Sequence, residues 1–65
     1  MPGDQIRRIR FALGMSQEEF AYNVGVAAGT ISKAERGKTK LSRLAEKAIK
    51  DVAIAYGVDF NGREL

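Results

Sequence analysis

Sixty-five residues, 7.1 kDa, are room for one small domain, whose core buries only about 60% of the surface that the unfolded chain exposes. The chain is 45% hydrophobic and 29% charged, with no cysteine and no histidine. Disorder, a disulfide framework and a thiolate metal site are thereby excluded, and the commonest metal ligand and general base are missing.

No metal or cofactor is expected, and an enzyme is the least expected class. The carboxylates Asp4, Glu18, Glu19, Glu46 and Asp51 sit where helix starts and surface charges belong. A binding module leads. No apolar run nears the ~18 residues of a transmembrane helix, and no signal peptide opens the chain, so the expected compartment is the cytoplasm. Charge is uneven along the net +3 chain. Residues 1–32 balance Arg7, Arg8 and Arg10 against Asp4, Glu18 and Glu19. Residues 33–50 set Lys33, Arg36, Lys38, Lys40, Arg43, Lys47 and Lys50 against only Glu35 and Glu46, and residues 51–65 are slightly acidic. Bases gathered in one segment are the electrostatic footprint of a protein that meets phosphates, although a solvated helix face has the same composition.

The only proline is Pro2, so nothing after it breaks a helix interior. Asp4 is placed to cap a first helix with the apolar stripe Ile6, Ile9 and Leu13, and Gly14 stops it. Ser16 and Glu19 spell a capping box, with Met15 and Phe20 placed for a hydrophobic staple. The second helix therefore begins near Gln17, turns Phe20, Ala21 and Val24 inward and ends at Gly25. A connection of about three residues leads to a short third helix through Ile31 and Ala34 to Arg36, ended by Gly37. Such a spacing is that of a helix-turn-helix over about 17–36.

Gly37 to Ser42 reads as a polar loop anchored by Leu41. From Arg43, the residues Leu44, Ala45, Ala48, Ile49, Val52, Ala53 and Tyr56 repeat every three or four positions, the strongest helical signal in the chain, and Gly57 ends it. Val58 to Leu65, with Asn61 beside Gly62, reads as a turn or a frayed tail. The expectation is an all-α, four- to five-helix bundle filling residues 1–65 as one domain, with no strand.

From Gln17 to Arg36 the chain carries Gln-Glu-Glu-Phe-Ala, then Val-Gly-Val, then Ile-Ser-Lys-Ala-Glu-Arg. With Arg10, Leu13-Gly14 and Glu35-Arg36-Gly37-Lys38-Thr39-Lys40 followed by Arg43, this resembles the lambda-repressor and Cro family of helix-turn-helix domains, most of all its phage 434 repressor-like members. The resemblance covers about residues 6–43 well and 44–58 in pattern only. It implies double-stranded DNA as the partner, bound by a homodimer on a palindromic site with the third helix in the major groove. It also implies base contacts from Ala28, Gly29, Ser32 and Lys33, and phosphate or minor-groove contacts from Gln17, Thr30, Arg36, Lys38, Lys40 and Arg43. Arg10 and Glu35 are implied to be a structural ion pair. Glu35 asks for such a partner on its own account, because a negative charge in the last turn of a helix opposes the macrodipole.

Three departures stand beside these matches. Ala28 and Gly29 occupy places where base-reading side chains are usual, so only Lys33 has the reach and charge to bind guanine O6 and N7 well. Ala27 stands where Ser or Thr usually caps. Asp59-Phe60-Asn61-Gly62 replaces the family's dimerising segment, which leaves the homodimer without the segment that usually forms it, although Phe60 and Leu65 are available to pack. A second reading rests on these departures, namely a redesigned helical scaffold of the same fold with no DNA target. A membrane-surface role for the fourth helix is disfavoured, since a core this small needs its apolar face. No membrane and no small-molecule substrate are expected.

Overall fold

A computed structural model describes residues 1–65. Four helices form: α1 over Gly3–Leu13, α2 over Gln17–Val24, α3 over Ala28–Glu35 and α4 over Arg43–Ala55. The expected all-α helix-turn-helix fold is present, with no strand beyond one isolated bridge between Val58 and Glu64.

Helix starts follow local chemistry. The Ser16 hydroxyl accepts from the Glu19 N–H at 3.1 Å while the Glu19 carboxylate accepts from the Ser16 N–H at 3.2 Å, completing the capping box. Ser42 caps α4 in the same way, accepting from the Ala45 N–H at 3.1 Å. Asp4 does not cap α1. The N-cap is Pro2, with extended backbone and no side-chain bond, and Asp4 lies in the first turn, where its charge faces the positive end of the helix dipole. Each helix ends on a glycine, and α3 shows the pattern, with Gly37 N–H donating to the Ala34 carbonyl and Lys38 N–H to the Lys33 carbonyl. The positive φ of 90° at Gly25 turns the chain sharply between α2 and α3, leaving Gly25, Val26 and Ala27 as the connection.

The core sits where all four helices meet. Phe20, Ile6, Ile9, Ile31 and Ile49 are its largest fully buried side chains, joined by Ala21, Val24, Ala34, Ala53 and Val58. Each large residue contributes roughly 1.5–3 kcal/mol by burial. Small residues at Ala21 and Ala34 let α2 and α3 cross closely, and α1 begins hard against the end of α3, with Gly3 packed on the Ala34 and Glu35 carbonyls.

The apolar repeat of α4 is only partly internal. Ala45, Ile49 and Ala53 are buried, whereas Leu44 is 80% and Tyr56 61% exposed, contrary to the expectation that they close the core. At 100° per residue Leu44 falls well off the arc that Ala45, Ile49 and Ala53 share, and Tyr56 follows the last helical residue. Nor is the tail frayed. The Asp59 carboxylate accepts from the Asn61 and Arg63 N–H groups at 2.8 and 2.9 Å, and these bonds hold it below its ordinary value. Val58 is buried, Leu65 N–H donates to the Gly57 carbonyl, and Gln5 Nε2 donates to the Phe60 carbonyl at 2.7 Å. Gly62 rests on α1 so tightly that a Cβ would lie 2.6 Å from the Arg8 carbonyl oxygen.

Candidate nucleic-acid interface

The centre of the site is the buried carboxylate at the end of α3. Arg10 grips Glu35 bidentately, Nε to Oε2 at 2.6 Å and Nη2 to Oε1 at 3.0 Å, and its Nη1 donates to the Met15 carbonyl at 3.1 Å. Both residues are buried, at 9% and 4% exposure. Gln17 Nε2 donates to Glu35 Oε1 at 3.1 Å, and Arg7 Nε stands 3.6 Å from the same oxygen. Burial raises the Glu35 carboxyl, but the hydrogen bonds of Arg10 and Gln17 and the charges of Arg10 and Arg7 outweigh it and hold the group below its ordinary 4.5. No buried side-chain polar atom is left without a partner.

Two members of this network, Arg7 and Gln17, lie outside the ion pair that the resemblance implies. Arg7 precedes Arg10 by one helical turn, and that i, i+3 spacing was a usable signal. Gln17 gave none, because its partner depends on how α2 crosses α3. A carboxylate only accepts, so the nitrogen end of the Gln17 amide must face Glu35. One of its two N–H bonds is therefore engaged inside the fold, and Gln17 has a folding role. The backbone N–H groups of Gln17 and Glu18 have no acceptor within the chain, and they leave an electropositive helix start beside it.

Along α3, Gly29 and Lys33 are exposed and Thr30 and Ser32 half-buried, while Ala28 is half-buried and packed on the core. Ala27 has the extended backbone of an N-cap, φ −72° and ψ 147°, but no side chain to cap with, so the Ala28 and Gly29 N–H groups also lack an acceptor within the chain. Beyond α3 the chain runs exposed through Arg36, Lys38 and Lys40 to Arg43, with Leu41 half-buried as its anchor. Arg36 Nε reaches back to the Ser32 carbonyl at 3.4 Å. The ion pairs of the chain join Met1, Arg7, Arg10 and Lys47 to carboxylates, and none involves Lys33, Arg36, Lys38, Lys40 or Arg43. Five successive cations are thus exposed and outside any salt bridge.

No helix is long and apolar enough to cross a membrane. A family model described as a helix-turn-helix domain matches residues 3–65. Neither a search of curated proteins nor a search of solved structures returns a match. With four helices, a glycine turn between α2 and α3, and a family match over nearly its whole length, the chain belongs to the helix-turn-helix domain family.

Proposed function

We propose that the chain binds double-stranded DNA as a transcriptional regulator of the Cro and lambda-repressor kind, acting as a repressor with α3 in the major groove. The observation that carries this reading is the run of unpaired, exposed cations Lys33, Arg36, Lys38, Lys40 and Arg43 on and just after α3. None of these charges is in a salt bridge, and a polyanion would give all of them one. Lys38 and Lys40 hold one backbone phosphate, and the free N–H groups at the start of α2, with the second amide N–H of Gln17, hold another. Thr30 and Arg36 add backbone contacts, and Arg43 approaches the minor groove.

Base reading falls to Lys33, with Ser32 beside it and Ala28 and Gly29 contributing at most shape. The longest dimension of the chain, 29 Å, is shorter than the ~34 Å of one duplex turn. One copy therefore spans one half-site, and a palindrome needs two.

Selection from a random duplex pool at low salt supplies the site, and variants then separate the roles. Log K should fall with log salt by about 0.9 per phosphate neutralised, so Lys38→Ala and Lys40→Ala should each shallow the slope by about one unit per protomer. Both should weaken all sequences alike. Lys33→Ala should instead relax preference at one base pair per half-site, since a lysine bonded to guanine contributes roughly 1–3 kcal/mol of discrimination. A flat salt titration removes the phosphate clamp, and an equal loss at every site variant makes Lys33 a phosphate contact.

A further inference from the structure

Helix α4 has a second, outward face. Leu44, Lys47, Asp51 and Ile54 recur at i, i+3, i+7 and i+10 and form one stripe about 15 Å long at 1.5 Å per residue. Leu44 is 80% and Ile54 53% exposed, and between them Lys47 Nζ stands 3.3 Å from Asp51 Oδ2. At the Ile54 end an open groove of about 250 Å³ is lined by Ile54, Asp59, Phe60 and Leu65. Its wall is held in place, because the Phe60 carbonyl accepts from Gln5 and Lys50 Nζ lies 4.9 Å above the Phe60 ring. The other large exposed apolar side chains on the helices are Phe11, under the Arg10 guanidinium, and Tyr22 on α2, and neither lies on this stripe.

The stripe is complementary to itself. When two copies of α4 pack antiparallel about a twofold axis level with Ile49, position 47 of one faces position 51 of the other, and position 44 faces position 54. Lys47 then meets the partner's Asp51, Asp51 meets the partner's Lys47, and each Leu44 lies at the partner's Ile54 and the groove beside it. An isologous interface requires this reciprocity. The stripe's charges cancel, so phosphate has no reason to dock there.

We propose that this face of α4 is the surface on which a second copy of the chain docks, antiparallel, with Leu44 seated in the partner's groove and Lys47 and Asp51 exchanged across the twofold axis. The proposal rests on the half-site reading above for its use, and on the α4 face alone for its geometry. A stable interface covers about 800 Å² per partner, near a fifth of the 4257 Å² surface of this chain. One helix face and a groove supply less, so the dimer is weak without DNA.

Sedimentation equilibrium on the full chain without DNA, from about 10 μM to 1 mM as suits a weak complex, tests it. The mean mass should climb from 7.1 kDa toward twice that value. Leu44→Lys should weaken association by about tenfold or more, the effect of about 1.4 kcal/mol. Lys47→Asp and Asp51→Lys should each abolish it by placing like charges across the axis. Mixing these two single variants should restore a dimer, as should the double reversal K47D/D51K in one chain. Circular dichroism melts confirm that every variant is folded.

A chain that stays monomeric throughout overturns the proposal and leaves the groove to another protein. Association indifferent to Leu44 and to the two charges also overturns it, as does failure of both the mixture and the double reversal to recover. Salt-dependent duplex binding, measured separately on Lys47→Asp, tells failure of the dimer from failure of the DNA reading.

Discussion

Replacing Arg10 by methionine leaves the Glu35 carboxylate, 4% exposed, without the two hydrogen bonds of 2.6 and 3.0 Å that neutralise it. Arg7 at 3.6 Å and Gln17 at 3.1 Å remain, but Arg7 is half in solvent and Gln17 carries no charge. Breaking one side of a buried pair costs roughly 3–5 kcal/mol, because an uncompensated charge is left behind. A 65-residue domain has only about 3–10 kcal/mol in total. Arg10→Met should therefore lose at least about 3 kcal/mol and bring the protein to the edge of unfolding. The double variant Arg10→Met with Glu35→Leu removes both charges and should lose much less, since Gln17 is only half-buried and can turn to water. Urea melts of the parent, the single and the double variant, analysed at a common slope, decide the matter. Equal, small losses in both variants would refute the reasoning, for they would mean that solvent already screens the pair.

The Glu35 carboxyl lies below its ordinary value, so its share of stability is fully present above pH 4.5 and is lost as pH falls through the folded-state value; melts in the acid range should show a shallower acid loss in the Arg10→Met, Glu35→Leu variant than in the parent. Ala27→Ser should stabilise by about 1 kcal/mol, because the backbone already has N-cap geometry and lacks only the oxygen; denaturant melts check it, and no gain would mean that the α3 start is satisfied otherwise. Gly62→Ala should destabilise by about 2 kcal/mol or more, joining a left-handed backbone, φ 77°, to a Cβ against the Arg8 carbonyl. Amide exchange should then locate the loss in the Val58–Leu65 turn, and an unchanged turn would show that it does not lean on α1.

What the sequence disclosed was what local chemistry decides. The Ser16–Glu19 box and the glycine ends were legible because spacing marked them, whereas the charge at Glu35 asked only for some partner, and Arg10 as that partner came from the family resemblance. The Ser42 cap lies in a stretch that reads as a polar loop, although a serine directly before an apolar repeat is a start signal. Leu44 fits the repeat and yet is exposed, because a repeat of three and four tolerates a residue at the edge of the stripe, and only the packing of α4 on its neighbours shows which edge is wet. The tail was the least legible part. Asn61-Gly62 signals a turn in any context, whereas the Gln5 and Arg8 contacts that dock it come from residues more than fifty positions away. The exposure of Lys33, Lys38, Lys40 and Arg43 agrees with the sequence reading, while the Gln17 bond to Glu35 depends on a helix crossing that periodicity cannot supply.

That crossing ties stability to recognition. Glu35 closes α3, Arg10 brings it to α1, and Gln17 brings it to the start of α2, so one carboxylate sets the relation between the two helix starts whose first N–H groups have no acceptor within the chain. In the proposed complex, a phosphate at the start of α2 would therefore lie at a defined distance from Lys33 on α3. The arrangement suits the proposed role of α3, which opens with Ala28 and Gly29. With few side chains to search for bases, register must come from the backbone contacts, and these discriminate only when the two helices keep a fixed spacing. The apolar double variant at Arg10 and Glu35 separates the two duties, since it restores most of the folding energy and leaves Gln17 without its anchor. Such a protein should remain folded and still bind DNA through Lys38 and Lys40, while the difference in affinity between its best site and a random duplex narrows.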